Sequence, residues 1–138
     1  MDRSRVINLK SKEGTVLRGK EFAKTLVPGT VLALHGDLGS GKTTFVQGLA
    51  LGLGIEDPIQ SPTFVYCNEY EGKMTLSHFD LYRLSSVEDF LNLGFEEHLE
   101  PIGVAAIEWP EIIASILPAN VVRLYFKYTN KGRTLEIH

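Results

Sequence analysis

The sequence has a single cysteine and lacks any long hydrophobic segment. Cys67 alone excludes a disulfide within the chain, and such cysteine usage is typical of a reducing cytoplasm. No apolar run approaches the ~20 residues that span a bilayer. The start, Met1-Asp2-Arg3-Ser4-Arg5, leads into no signal-like hydrophobic segment. We therefore expect a cytoplasmic protein without a membrane contact.

The sequence also lacks an excess of positive charge. It contains 14 lysines and arginines against 17 acidic residues, a net charge of −3. Proteins that grip nucleic acid by themselves neutralise its phosphates with clustered basic side chains. Here the basic residues are scattered, and acids cluster at Glu96-Glu97 and Glu100. Any nucleic-acid role is therefore expected to be indirect, through a partner protein.

The remaining composition is that of an ordinary globular protein. The chain has 138 residues, of which 43% are hydrophobic and 22% charged. This length suits one domain with a real core. Because no internal repeat or linker appears, residues 1–138 are predicted to form a single domain.

A glycine-rich stretch, Gly36–Thr44, is the strongest motif. Its sequence GDLGSGKTT matches the pattern of glycine, four residues, glycine, lysine, then Ser or Thr. The apolar run Val31–Leu34 precedes it and predicts a buried strand, and residues 43–53 have helical apolar spacing. Strand, glycine loop and helix are the context that a phosphate-binding P-loop requires.

The residue types of this loop suit phosphate. Its glycines allow successive N–H groups to point into one concavity, and the positive end of the following helix adds to that field. Lys42 is expected between the β- and γ-phosphates, and the Thr43 hydroxyl is expected to meet magnesium. The predicted nucleotide-binding residues are Gly36, Asp37, Leu38, Gly39, Ser40, Gly41, Lys42, Thr43 and Thr44.

The rest of the pattern predicts an α/β domain. Helices are expected from the Ser11 cap through Leu26 and from Ser86 to Gly94. The predicted strands, in chain order, are 6–9, 64–70, 73–82, 102–107, 121–128 and 133–137. Because two pairs of these strands form hairpins, we expect a three-layer P-loop NTPase-like domain whose sheet is mixed, partly antiparallel.

Two acidic residues are candidates for the chemistry. Glu108 follows the most apolar strand, so its carboxylate is expected at the sheet edge near the P-loop, holding magnesium or metal-bound water opposite Thr43. Asp80 falls near the end of a neighbouring strand and could complete the metal shell or activate water. The alternative for either residue is a solvated strand end.

Residues 56–63 form a loop with two prolines after the P-loop helix. Switch loops of nucleotide hydrolases often lie at this place, and the hydroxyls of Ser61 and Thr63 could meet a γ-phosphate or metal. The alternative is a rigid connector whose polar residues only build turns.

His78 and Trp109 have two interpretations each. His78 could contact a phosphate or polarise Asp80, although a lone strand histidine is more often structural. Trp109 could cover the nucleotide, although packing is the default role of a tryptophan.

Together, four stretches resemble the bacterial TsaE family, formerly called YjeE. Besides Gly36–Thr44, they are Ser61–Phe64, His78–Leu84 and Glu108–Pro110, in this order and spacing. The HFDLYRL sequence of the third stretch is especially specific, since no general strand pattern demands it. The likeness extends from Val6 to the last predicted hairpin.

The resemblance implies a small ATPase, with ATP and Mg²⁺ as cofactors, that is weak alone. Such proteins are needed to form threonylcarbamoyladenosine at position 37 of tRNAs reading codons that begin with A. They act with a TsaB–TsaD pair, in which TsaD is the transferase, and meet tRNA only indirectly through that complex. The resemblance also implies that Lys42, Asp80 and Glu108 are catalytic and that Thr43 and Glu108 hold the metal.

A small P-loop kinase that phosphorylates a metabolite is one alternative. Such enzymes usually need an arginine-rich lid that screens the transferred phosphate from water. The arginines Arg83, Arg123 and Arg133 are dispersed in this sequence, and no lid insertion is apparent.

A nucleotide-gated scaffold, in which hydrolysis is incidental, is a second alternative.

A regulatory GTPase is disfavoured, because the nearest match to its Asn-Lys-x-Asp motif, residues 130–133, lacks the aspartate. No Asp-x-x-Gly switch motif occurs either.

Overall fold

The computed structural model describes residues 5–62, 64–130 and 132–138, which build one sheet with helices on both faces. The strands are β1 (Arg5–Leu9), β2 (Val31–His35), β3 (Cys67–Tyr70), β4 (Leu76–Asp80), β5 (Val104–Glu108), β6 (Val122–Thr129) and β7 (Gly132–Ile137). The helices are α1 (Lys12–Ala23), α2 (Lys42–Gly52) and α3 (Val87–Asn92), with 3₁₀ segments at Glu96–Leu99 and Pro110–Ile116. No helix in these described ranges is long and apolar enough to cross a membrane.

The sheet is mixed, as predicted. Its seven strands follow the order β1-β7-β6-β2-β5-β4-β3. The central strands β6, β2, β5 and β4 are parallel, whereas β1, β7 and β3 pair antiparallel with their neighbours. Because parallel strands end at the same edge, the segments that follow β2, β5 and β4 meet there. The register aligns Leu34, Glu108 and Asp80 in one row.

Two hydrophobic clusters, one on each face, confirm the three-layer arrangement. Side chains alternate along β2: Leu32 and Leu34 join the cluster under α1 and α2, while Val31 joins the opposite one. Strand β5 is buried along its whole length. Its apolar composition is therefore the expected one for a strand covered on both faces.

Helices α1 and α2 touch backbone to backbone. A Cβ atom added at Gly48 would lie 2.1 Å from the carbonyl oxygen of Val16, and one added at Gly19 would lie 2.3 Å from that of Phe45. Only glycine fits at such a crossing. Because α2 begins directly after the glycine loop, this contact also fixes the direction of the helix that carries Lys42 and Thr43.

Several predicted elements are shorter in the structure, among them the strand predicted at 73–82, which is Leu76–Asp80. Helix α1 ends at Ala23 rather than Leu26, with Lys24 as its C-cap. Residues 64–66 form a turn rather than the start of a strand. There Tyr66 has a φ of 66°, and its N–H donates to the Pro62 carbonyl at 2.7 Å, which ends the extended conformation before β3.

We expect Gly48→Ala to lower the free energy of unfolding by about 1–3 kcal/mol, because the added methyl group forces α1 and α2 apart. This sign is opposite to that of an ordinary helix, where alanine stabilises relative to glycine by ~1 kcal/mol. Equilibrium urea unfolding measures the change. The control, Leu51→Ala, alters a 55% exposed side chain on the same helix and should have a smaller effect. A Gly48→Ala protein as stable as the native one would contradict the close crossing.

Candidate nucleotide-binding site

The loop from Gly36 to Gly41 joins β2 to α2, in the strand–loop–helix order that the sequence predicts. Gly41 is the N-cap of α2 and has a φ of 106°, a left-handed conformation that favours glycine. At Gly36 an added Cβ would lie 2.7 Å from the Phe126 carbonyl oxygen. The first glycine of the loop is therefore required by its close approach to β6.

The loop borders a cavity of about 420 Å³. Its lining residues are Leu38, Gly39, Gly41, Lys42, Thr43, Thr44, Ser61, Asp80, Tyr82, Arg83, Glu108, Trp109 and Arg133. Three of the predicted loop residues, Gly36, Asp37 and Ser40, shape the turn without lining the cavity. In that turn the Asp37 carbonyl accepts a hydrogen bond from the Ser40 N–H at 3.1 Å.

Lys42 is a buried cation, with only 4% of its surface exposed. Its Nζ donates to the Gly36 carbonyl at 2.5 Å and lies 3.6 Å from the centroid of the Trp109 ring. Burial lowers the pKa of Lys42, although nearby carboxylates, Glu108 foremost, act in the opposite direction. An ammonium group in this position favours the approach of an anion.

Glu108 lies at the centre of a buried hydrogen-bond chain. The Thr43 hydroxyl donates to its two carboxylate oxygens at 2.9 and 3.1 Å. On the other side, Nε2 of His78 lies 2.5 Å from Glu108 Oε2. Glu108 is 3% exposed and His78 is fully buried. The structure thus places His78 against Glu108 rather than against Asp80, a pairing that the sequence did not predict.

Asp80 forms another wall of the cavity at the end of β4. Its Oδ1 accepts a hydrogen bond from the Tyr82 N–H at 3.0 Å, and the Ser61 hydroxyl donates to Oδ2 at 3.3 Å. The structure therefore brings Ser61 of the two-proline loop to the site. Thr63 lies outside the described residues, so the expectation for its hydroxyl stays a prediction.

Trp109 both packs and lines the cavity. Its φ is 57°, a left-handed conformation that costs a bulky residue of order 1–3 kcal/mol. Its ring lies 4.9 Å from that of Tyr82, centroid to centroid, and below the ammonium group of Lys42. The two interpretations of this residue are therefore compatible.

Two arginines that are far apart in the sequence converge on the cavity. The Cζ atom of Arg83 lies 5.4 Å from the centroid of the Phe64 ring, and that of Arg133 lies 5.1 Å from the centroid of the Tyr128 ring. Arg83 and Arg133 are dispersed along the sequence, but both line the cavity in the folded protein. No local signal marked Arg133, because its place depends on the pairing of β6 with β7.

Cys67 has no features of a nucleophile. Burial raises the pKa of its thiol to about 12, and the charge of Glu69 acts in the same direction. The thiol is therefore protonated at neutral pH, as expected of a small side chain within a strand.

The residues of the cavity fit a magnesium–nucleotide complex. Thr43 and Glu108 supply hard oxygen ligands side by side. Across residues 5–62, 64–130 and 132–138 no group of three or more metal-binding side chains gathers, and magnesium typically relies on few protein ligands besides water and phosphate. Within the part of the chain that the structure describes, the buried Ser40 hydroxyl also has no hydrogen-bond partner. Charge, donor type and loop geometry all suit phosphate.

Comparison with known proteins identifies similar chains. A family model described as "Threonylcarbamoyl adenosine biosynthesis protein TsaE" matches residues 9–135. The tRNA threonylcarbamoyladenosine biosynthesis protein TsaE of Treponema pallidum (strain Nichols) is 44% identical over 123 residues, covering 89% of this chain and 91% of the relative. The protein of the same name from Borreliella burgdorferi is 40% identical over 136 residues, which cover 96% of this chain and 98% of the relative. The crystal structure of Bacillus subtilis YdiB superposes with a TM-score of 0.81 at 32% sequence identity. The match covers 99% of this chain and 86% of the YdiB chain.

The lowered pKa of Lys42 predicts a pH-dependent contribution to stability. The folded protein releases this proton more readily than the unfolded chain, so the free energy of unfolding should rise with pH up to the ordinary lysine value of 10.5. Lys42→Met removes the titrating ammonium group and, with it, this pH-dependent contribution to the free energy of unfolding. The difference in unfolding free energy, native minus variant, should therefore increase between about pH 7 and that value, measured by urea unfolding without nucleotide. Titration of the Cys67 thiol affects both proteins alike and cancels. A difference independent of pH would contradict the prediction.

Proposed function

The chain belongs to the TsaE family, and we propose that it takes part in forming threonylcarbamoyladenosine in tRNA as an ATP-binding and ATP-hydrolysing protein. The observation that supports this activity is the contact of Thr43 with Glu108 next to the buried ammonium of Lys42, all facing one cavity. The modified nucleoside would be at position 37 of tRNAs that read codons beginning with A.

In this proposal the glycine loop and the first turn of α2 hold the phosphates of ATP. Backbone N–H groups at the helix start point toward the anion, and Lys42 exchanges its bond to the Gly36 carbonyl for phosphate oxygens. Thr43 and Glu108 would hold Mg²⁺, which would neutralise charge on the phosphates. His78 orients the Glu108 carboxylate through its hydrogen bond to Oε2, as residues that contact a metal ligand do in other metal sites.

Hydrolysis requires an attacking water and an acceptor for its proton. The water oxygen bonds to the γ-phosphorus, the bond from that phosphorus to the bridging oxygen breaks, and ADP leaves. We assign the proton to Asp80, whose carboxylate lines the cavity and is oriented by Tyr82 and Ser61. Lys42 stabilises the charge that develops on the transferred group.

TsaB and TsaD are the proposed partners, with tRNA reached only through them. Apolar side chains next to the cavity remain exposed, Leu38 at 65%, Tyr82 at 54% and Phe64 at 82%. Exposed apolar side chains near a site are typical of a protein interface. A partner seated there would exclude water from the cavity, so we propose that the isolated protein is a weak ATPase.

A small-molecule kinase keeps some support from the structure, because Arg83 and Arg133 both line the cavity. Formation of a phosphorylated metabolite by the isolated protein would favour the kinase. Alternatively, full tRNA modification by a Glu108→Ala protein that no longer hydrolyses ATP would favour a nucleotide-gated scaffold.

We predict that the purified protein binds ATP with Mg²⁺ and that its hydrolysis rate rises when TsaB and TsaD are added. Lys42→Ala should weaken ATP binding about tenfold or more, because charge-assisted contacts to phosphate are lost. The matched control is Lys20→Ala, which removes an exposed lysine of α1. Equilibrium titration measures ATP binding, and the rate of phosphate release measures hydrolysis. Normal tRNA threonylcarbamoylation in cells that carry only the Lys42→Ala protein would refute the proposed role.

Glu108→Gln tests the metal site, since the amide keeps the shape of the side chain but loses its charge. We expect this variant to bind ATP in EDTA as the native protein does, but to lose most of the gain in affinity that Mg²⁺ confers. Titrations with and without Mg²⁺ measure that gain. Glu111→Gln is the control, because this nearby carboxylate is bonded to His35 Nδ1 at 2.8 Å instead. A full magnesium effect in Glu108→Gln would exclude Glu108 as a ligand.

A further inference from the structure

We propose that Asn68 and Tyr70 of strand β3 are positioning residues for the hydrolysis of ATP. They hold Gln60 of the two-proline loop, and thereby keep the next residue, Ser61, bonded to Asp80. The inference rests on the proposed function, in which Asp80 accepts the proton of the attacking water. It extends the site to a strand whose side chains do not line the cavity.

Both backbone groups of Gln60 are bonded to side chains of β3. The Gln60 N–H donates to the hydroxyl oxygen of Tyr70 at 3.3 Å, and the side-chain amide of Asn68 donates to the Gln60 carbonyl oxygen at 3.4 Å. Each bond is long and exposed to solvent, so each alone stabilises little. Together they restrain one residue at both its N–H and its carbonyl. We call this pair of bonds the Gln60 clamp.

Strand β3 places the two clamp residues on one face, at a fixed distance from β4. Asn68 and Tyr70 are two residues apart, so their side chains point the same way. The register partner of Tyr70 on β4 is Leu76, and the Tyr70 ring packs against the core cluster that contains Leu76. Because this ring is anchored in the core, its hydroxyl is a fixed point relative to β4, the strand that ends at Asp80.

The other end of the segment is fixed by backbone bonds. Pro62 is buried, and its carbonyl accepts a hydrogen bond from the Tyr66 N–H at 2.7 Å. The Tyr66 carbonyl in turn accepts one from the Asp80 N–H at 3.0 Å. Ser61 thus lies between two restrained neighbours, and its hydroxyl donates to Asp80 Oδ2 at 3.3 Å. Since that bond is already long, a small shift of Gln60 would break it.

The bond from Ser61 matters because it is one of two that orient the Asp80 carboxylate. The other is the bond from the Tyr82 N–H to Oδ1 at 3.0 Å. With Oδ1 held alone, the carboxylate can turn about that contact, and a misplaced proton acceptor lowers the rate of the chemical step. The phosphates of ATP are bound elsewhere, by the glycine loop and Lys42. The Gln60 clamp is therefore expected to raise kcat without changing the affinity for ATP.

ATP hydrolysis in the presence of TsaB and TsaD, together with equilibrium titration of ATP and Mg²⁺, tests the proposal. The double variant Asn68→Ala, Tyr70→Phe removes both bonds of the clamp and keeps the tyrosine ring. We expect its kcat to fall about fivefold, the effect of one ordinary hydrogen bond, with its ATP affinity within about twofold of the native value. Ser61→Ala should have the same effect.

Glu69→Ala is the matched control. Glu69 lies between the two clamp residues on β3, but its side chain points to the other face of the strand. There its Oε1 lies 3.3 Å from Nε2 of His98. This variant alters the same exposed strand without touching the two-proline loop, so its kcat should equal that of the native protein.

Combining the clamp variant with Ser61→Ala separates positioning from a structural role. If the clamp acts through Ser61, the combined protein has the kcat of Ser61→Ala alone, because the bond that the clamp supports is already absent. If the clamp only stabilises the fold, the two losses are independent and multiply to about 25-fold. Thermal unfolding of every variant shows whether any loss of kcat follows a loss of stability.

Each remaining result has a definite meaning. The proposal is overturned if the losses multiply, if the clamp variant or Ser61→Ala keeps the native kcat, if Glu69→Ala lowers kcat equally, or if the clamp variant loses ATP affinity instead. In these cases the native protein still hydrolyses ATP, and the proposed function stands. If the native protein with TsaB and TsaD does not hydrolyse ATP, the proposed function fails and the positioning role fails with it.

Discussion

The in-register parallel pairing of β2, β5 and β4 is the constraint on which the site depends. The pairing aligns Leu34, Glu108 and Asp80 in one row, so the glycine loop after β2 begins where the two carboxylates emerge. A slip of one residue in either ladder would turn a carboxylate to the other face of the sheet. Buried apolar side chains on both faces hold this register, and the core therefore sets the geometry of the polar site.

The site combines groups that are unfavourable in isolation. Lys42 and Glu108 are almost fully buried, and Trp109 has a left-handed backbone conformation. Desolvated charge and local strain destabilise the folded chain, and proteins retain them where function requires a pre-organised environment. The hydrogen bonds of Lys42 to Gly36 and of Thr43 to Glu108 offset part of that cost. Both bonds occupy the groups that would bind phosphate and magnesium.

Several features could be predicted because they depend on nearby residues. The glycine loop follows from the spacing of Gly36, Gly41 and Lys42, and the following helix follows from its apolar period. Strand β5 was visible as an apolar run that ends in Glu108. The bond between His78 and Glu108 was not predictable in this way, since it joins two strands whose adjacency is set by the whole sheet. The turn at Tyr66 was missed because its aromatic neighbours favour a strand locally.

A glycine loop between a strand and a helix, an α/β architecture and the residue types available for the chemistry can all be predicted from the sequence, because these depend on local spacing and side-chain character. The distant residues that meet at that loop can be identified only in the folded chain. Arg133 reaches the cavity through the pairing of β6 with β7. Glu108 becomes a shared acceptor for Thr43 and His78 because β5 pairs with both β2 and β4. Such contacts depend on strand order and register, which are set by burial of the entire core and have no signal within any short stretch of the chain.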